Sequence, residues 1–529
     1  MIELWDVNCM IGPWPTEELL FHTVVGLLRR MDELGIARAV VAHSYGLHYD
    51  ANESNHTLNA VLSALDPAMQ ARLLPCWTLL PPITREHGTY DMLALLEGQN
   101  IHVARLYPRE HNYSLSSPDT AVLLAALEQG RIITLIDIEQ TSWEELERIA
   151  AAFPQLPIVV CHVGYRSLRR MVGVLERHPN CRIELSFFSS HQGLEWLVER
   201  LGSDRILFGT GAPISDGGGA VTRLLTADLG FESCAAIGSG NLATLLGCTK
   251  PDKLPIQLDT NIVKAADQLR RGEAIRDYDV LDAHAHVGPW YNFFTPDPSP
   301  ETMLQVMDRC GVRMAVLSPT LAIGPDAATG NAQMLALIRR FPSRFAGYAV
   351  FNPHHSKSRD DIVAALQQPG VVGIKIHPDV HACAVGDPRY APAWELAERL
   401  DVPVLTHTFA GSSFCDPSDF DAVASAWPDA SIILGHAGVT GSGHLRSIAV
   451  AQQHPKLYLE ICGSYITGQW IKRMVTELGA ERVLYGSDFP FIELRYALGR
   501  VIFAGLAEHE LRLVLGGNAQ RLLRLPHAS

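Results

Sequence analysis

The stretch Val280–Trp290 reads VLDAHAHVGPW. Asp282, His284 and His286 alternate with Ala283, Ala285 and Val287, the two-residue period of a β-strand. Side chains i and i+2 of a strand share a face, so the two imidazoles project together from the end of an apolar strand. Neutral imidazole is a common ligand for zinc and similar ions. Taken alone, the pair is equally compatible with two surface histidines near a strand end.

A second copy of this stretch lies upstream, where Trp5 to Trp14 read WDVNCMIGPW. Asp6 matches Asp282, and Gly12-Pro13-Trp14 match Gly288-Pro289-Trp290, but Asn8 stands in the place of His284 and Met10 in that of His286. The register holds along the chain: Asp6 to Asp282 is an offset of 276, His162 to His436 of 274, and Pro213 to Pro490 of 277. Both halves close on related segments, IGSGNLATLLG (237–247) and LGGNAQRLLRL (515–525). The period is too long for a solenoid repeat. One fold is written twice in tandem.

Each half contains eight candidate strands. In the first they are 2–11, 37–44, 73–81, 102–108, 132–139, 157–164, 181–188 and 205–213. In the second they are 278–287, 313–319, 345–353, 371–378, 403–408, 431–438, 457–463 and 482–490. Amphipathic helical patterns separate most of them, for example Leu19–Leu34 and Trp143–Phe153. Apolar strands alternating with helices indicate a parallel sheet covered on its outside. Eight units per half fit a (β/α)8 barrel better than an open doubly wound sheet, since no Gly-rich turn follows the first strand. The expectation is an α/β protein of two tandem (β/α)8 TIM-type barrels, 1–249 and 278–529. They are joined by a Pro-rich linker and a helix within 250–277, the helix at about 261–274.

Composition narrows the function classes. The 529 residues are 47% hydrophobic and 19% charged, which favours well-buried cores over disorder. Forty-three basic against 57 acidic residues give a net charge of −14, unsuited to nucleic acid or an anionic membrane surface as the main partner. The ten cysteines form no CxxC pair, and several lie inside apolar strands, as buried free thiols do. No signal segment and no membrane-length apolar run is apparent, so a cytoplasmic location and a small-molecule substrate are expected.

In a barrel of parallel strands the C-terminal strand ends converge on one mouth. Ends four, five, six and eight of the second copy carry Lys375, His407, His436 and Asp488, which join His284 and His286 there. Each alone has a bland reading; six metal-binding or metal-activating residue types in register point to a metal site. The motifs HAHVG, KIHP, THT, GHAG and GSDFP, with the closing GGNAQRLL, resemble the amidohydrolase superfamily. They are most similar to the branch containing aminocarboxymuconate-semialdehyde decarboxylase and its hydrolase relatives. The resemblance covers 278–525 with every key motif and 1–247 with the scaffold only.

The resemblance implies one divalent metal held by His284, His286, His407 and Asp488, with zinc expected and manganese, iron or cobalt as alternatives. It implies that His436 contacts substrate or a second metal. Lys375 either binds a substrate carboxylate as a point charge or, carboxylated, bridges two metals, or only pairs with a neighbouring acid. The first of these is the main expectation. His377 and Trp290 are expected to contact substrate, Trp290 from the aromatic loop WYNFFTPDP (290–298). The main expected reaction is hydrolysis of a small amide, ester or lactone by metal-activated water, with Asp488 as base then acid and His436 stabilising the oxyanion. Non-oxidative decarboxylation of a small unsaturated or aromatic carboxylate is the alternative, and a non-enzymatic binding or scaffold protein with a vestigial site is a third reading. The first copy offers Asn8, Met10, Arg105, Asp137, His162 and Gly211 at the matching positions and has no lysine before Lys250, so it is expected to be inert. It would serve through barrel–barrel contact in place of a partner subunit, and homo-oligomerisation is a further option.

Overall fold

The computed structural model describes residues 2–215, 217–248 and 262–527. The chain falls into two compact units, Met1–Ile262 and Val263–Ser529. Residues 249–261, which include most of the expected linker, lie outside the described residues. The helix expected at 261–274 is Lys264–Arg270, within the second unit.

The first unit holds strands β1 (Leu4–Ile11), β2 (Ile36–His43), β3 (Leu73–Thr78), β4 (Val103–Leu106), β5 (Ile133–Asp137), β6 (Ile158–Cys161), β7 (Cys181–Glu184) and β8 (Ile206–Leu207). The second holds β9 (Val280–Val287), β10 (Val312–Pro319), β11 (Phe345–Val350), β12 (Val371–Ile376), β13 (Val404–His407), β14 (Ile432–Gly435), β15 (Leu457–Glu460) and β16 (Val483–Leu484). Each set pairs in sequence order as an eight-stranded parallel sheet. Bridges Cys9–Ala212 and Ala285–Phe489 bring the first strand to the segment after the eighth. These are the two tandem (β/α)8 barrels expected.

Most strands are shorter than expected, because only their central residues pair. The segments RILFGTGAP and RVLYGSDFP pair over two residues each and then leave the sheet. The helix expected from Leu19 begins at Val24, where the Thr23 side chain accepts the Gly26 amide and caps it; residues 19–23 are an apolar loop. All ten cysteines are free thiols, buried except for Cys248. No helix among the described residues is long and apolar enough to cross a membrane.

One local feature corrects the simple alternation of the first strand. Ala315 and Leu317 of β10 face Asp282 and Ala285 of β9, so three steps on β9 match two on β10. This is a β-bulge, which reverses the in–out pattern beyond it. Leu281 and Ala283 join the core with Met314, Val316, Ala346, Tyr348, Leu405, Ile433 and Leu484. Past the bulge His284 and His286 share the inner face. Asp282 is not on that face: its carboxylate accepts the His284 and Ser487 amides at 3.1 Å each and the Ser487 hydroxyl. The first barrel repeats the device. Asp6 and Cys9 face Ala39 and Val41, and Asp6 accepts the Asn8 amide at 2.9 Å, the Thr210 amide at 3.0 Å and the Thr210 hydroxyl.

Both closing segments contain one turn of π-helix, Ala236–Gly240 and Leu513–Gly517. A Cβ on Gly516 would run into the Asp279 carbonyl oxygen, whereas one on Gly238 would lie 2.8 Å from that of Glu3. Gly516→Ala is therefore expected to destabilise the second barrel by about 1–3 kcal/mol, and Gly238→Ala to disturb the first less. Thermal unfolding of the two variants checks the order.

Candidate metal centre

At the mouth of the second barrel the bulge turns His284 and His286 inward beside the segment that follows β16. The Asp488 amide donates to the His284 carbonyl at 2.9 Å, and the His286 amide donates to that of Phe489 at 2.6 Å. This lacing sets Asp488 Oδ1 2.9 Å from His286 Nε2. His284, His286 and Asp488 each present one donor atom, all within 4.8 Å of one another. The other nitrogen of His286 lies 3.0 Å from the Ser318 carbonyl oxygen, so Nδ1 carries the proton and Nε2 faces the carboxylate.

The remaining expected residues surround this trio. Lys375 Nζ, buried at the end of β12, lies 2.9 Å from His284 Nε2. The His436 ring lies 4.9 Å from that of His284 and 4.7 Å from that of His407. His377 stacks on His407 at 4.2 Å. His407 Nε2 is 3.4 Å from Asp379 Oδ2, and these two with Cys415 form a further group of convergent donors. Trp290 reaches the trio only through Phe491: the Trp290 and Phe491 rings are 5.8 Å apart, and Phe491 stacks on His286 at 4.7 Å. Phe293 packs edge-on against the same ring, so the loop after β9 covers one side of the site.

Three participants are absent from the sequence expectation. Glu460, buried at the end of β15, has Oε2 2.6 Å from His284 Nδ1. Cys462 Sγ lies 3.0 Å from His436 Nδ1 and 3.3 Å from His284 Nδ1. Asp379 faces His407. The duplication held the signal for the first, because Glu184 precedes Glu460 by 276 positions, each at the end of the seventh strand of its barrel.

The backbone is strained where the site is built. Asp488 and His436 have φ of 65° and 64°, in the left-handed region, as do Ala437 (43°) and the β-branched Val439 (67°). Gly211 and His162 hold the matching turns of the first barrel at 66° and 55°. The presenting turn is thus common to both barrels, and glycine relieves its strain in the first.

Electrostatics suit a cation at this mouth. Burial, then Lys375 and His286, push His284 well below the ordinary histidine range, and burial does the same to His377 and His436. These rings are neutral and free to donate lone pairs. Burial opposes ionisation of Asp488, but its close contact with His286 and the imidazoles around it outweigh burial and hold the carboxyl far below its ordinary value. Burial brings Lys375 down to about 8. Neutral imidazoles and an ionised carboxylate converging from different strands are a donor set that fits a divalent metal.

The first barrel fills the same volume with ion pairs. Arg105, in the place of Lys375, donates to Asn8 Oδ1 at 2.6 Å and to Asp137 Oδ1 at 2.5 Å. His162 Nδ1 lies 3.0 Å from the same Asp137 oxygen. Groups of convergent metal-binding side chains occur, among the described residues, in the second barrel alone.

The scaffold is a (β/α)8 barrel with convergent potential metal ligands at one mouth. The amidohydrolase profile matches residues 27–247 and again 281–525, and the chain belongs to the amidohydrolase family. Gamma-resorcylate decarboxylase of Polaromonas sp. (strain JS666) is 21% identical over 282 residues, spanning 42% of this chain and 86% of that protein. Among solved structures, 5-carboxyvanillate decarboxylase from Sphingomonas paucimobilis is 18% identical with a TM-score of 0.39, covering 47% of this chain and 100% of that one. Dihydroxybenzoic acid decarboxylase from Polaromonas sp. JS666, with bound manganese and the inhibitor 2-nitroresorcinol, is 18% identical with a TM-score of 0.39, covering 47% and 98%.

The Arg105–Asp137 pair in the first barrel yields a stability prediction. Burial works against ionisation of Asp137, yet Arg105 and then His162 outweigh it and hold the carboxyl well below 3.8. A depressed carboxyl contributes stability above its unfolded pKa and loses it as pH falls through the folded value. First-barrel stability is expected to decline below roughly pH 4. Asp137→Asn, which leaves Arg105 buried without its counter-ion, is expected to cost about 3–5 kcal/mol near neutrality and to flatten the acid limb. Thermal midpoints across pH for both proteins test this.

Proposed function

We propose that the second barrel is a divalent-metal-dependent lyase that removes CO2 from a small aromatic or unsaturated carboxylate. The supporting observation is the convergence of His284, His286 and Asp488 at a barrel mouth, in a chain that over 42% of its length is 21% identical to a decarboxylase. Hydrolysis of an amide, ester or lactone, the first expectation from sequence, would use the same residues and takes second place because that relative is a lyase. In this reading His284, His286, His407 and Asp488 hold one ion, for which zinc, manganese, iron and cobalt all suit the nitrogen and oxygen donors. When bound, the ion supplies Lewis acidity that orients and polarises the substrate.

The chain's own groups would do the rest. Decarboxylation of an aromatic acid needs a proton at the ring carbon that carries the carboxylate. A C–H bond forms there, the C–C bond breaks, and its electron pair returns to the ring as CO2 leaves. In this reading Asp488 and His436 would take up that proton and pass it on. Lys375, set at the mouth beside His284, meets the substrate carboxylate as a point charge. The flat faces of His377 and Phe491, with Trp290 behind, suit a planar ring. The first barrel is inert in this reading, since Arg105 is bonded to Asn8 and Asp137 and Gly211 has no side chain.

Elemental analysis of the purified protein tests the metal. About one equivalent per chain is expected, lost in a His284→Ala/His286→Ala double variant and retained in His162→Ala. Two equivalents would point to a carboxylated Lys375, and none to the binding-protein reading. CO2 release is then assayed against hydroxybenzoates in parallel with hydrolysis of esters and lactones. His436→Asn is expected to keep its metal and lose about 10²–10⁴ in kcat. Ester or lactone turnover without CO2 release would replace the lyase with the hydrolase.

A further inference from the structure

Glu460 is fully buried and makes two kinds of contact. It ties backbone: Oε2 accepts the His436 amide at 3.1 Å and Oε1 the Cys462 amide at 2.6 Å. It also meets His284 Nδ1 at 2.6 Å. Glu184 does the first job in the other barrel, accepting the His162 amide at 2.9 Å and the Ser186 amide at 2.5 Å. Its contact on the first strand is the Asn8 side-chain amide, at 3.2 Å. The backbone ties are therefore common to both barrels, while an imidazole replaces an amide where the metal-binding set is present.

The proton on His284 can be placed from its neighbours. A lysine ammonium only donates, so the nitrogen facing Lys375 Nζ, Nε2, is the acceptor. A neutral imidazole then carries its hydrogen on Nδ1, against Glu460. That carboxylate already accepts the His436 and Cys462 amides and the Cys462 thiol at 3.0 Å, as an acceptor-only group does.

We propose that Glu460 is a positioning residue for the metal centre: it holds the Nδ1 hydrogen of His284 and so turns the Nε2 lone pair toward the mouth. A carboxylate behind a ligating imidazole fixes its tautomer and orientation and raises its basicity. The role rests on the metal reading given above. Glutamine cannot replace Glu460 fully, because its NH2 group opposes one of the donors the carboxylate accepts.

Matched variants in the two barrels of the full chain separate this role from a structural one. Glu460→Gln and Glu184→Gln both disturb backbone ties. Only Glu460→Gln is expected to weaken Mn2+ and Zn2+ binding, by about ten- to a hundredfold in chelator competition. Nitrogen NMR of the Zn2+-loaded parent is expected to show His284 as the Nδ1–H tautomer, a readout that survives should Glu460→Gln fail to fold. An Nε2–H tautomer, or affinity within twofold of the parent in Glu460→Gln, overturns the role and leaves the metal site standing. A parent that binds neither ion overturns the metal reading and this role together.

Discussion

The extra residue in the first strand of each barrel is the constraint on which the mouth depends. An uninterrupted β9 would carry the inward pattern of Leu281 and Ala283 on to Ala285 and turn both histidines away. The bulge shifts the pattern by one, so the strand fills the core at its base and bears polar groups at its tip. It also frees Asp282 to grip Ser487, which fixes the first strand to the segment carrying Asp488. Strand-one imidazoles and strand-eight carboxylate are thus parts of one hydrogen-bonded unit. Burial raises the two gripping carboxyls, Asp282 to about 7 and Asp6 to about 6, as expected of acids shut away from water.

The first barrel shows what happens when that unit is kept and its donors are replaced. Its mouth is closed by complementary charge: a guanidinium in the lysine position meets a carboxylate in the position of His407, and the retained histidine shares that carboxylate. A buried arginine is tolerated only with such compensation. The substitutions at Asn8, Arg105 and Asp137 form one bonded set and are physically interdependent.

Much of this was legible in the sequence. Apolar strands at regular spacing, the paired WDVNCMIGPW and VLDAHAHVGPW stretches and constant offsets are enough for two barrels and for the gathering of His284, His286, Lys375, His407, His436 and Asp488. The bulge was not legible, because a two-residue alternation continues in the letters while the backbone breaks it. Glu460 and Cys462 were missed because LYLEICG reads as an ordinary strand, in which a lone acid is usually solvent-facing. Asp379 sits on a short turn after β12 with no periodic pattern to place it. Residues 19–23 resembled a helix because apolar spacing alone does not reveal a cap.

The near-identical left-handed turns at Gly211 and Asp488 bear on how few side chains distinguish the two mouths. The framework that displays a carboxylate in the second barrel has its counterpart in the first: the bulge, the Asp6–Thr210 clasp, Glu184 and the turn itself. What separates the two barrels is a handful of side chains, and they must change as a group, since an aspartate at 211 would enter beside His162 with Arg105 still bound to Asp137. The first barrel is in this sense a chassis without those fittings, and supplying them would place two mouths of the same geometry on one polypeptide.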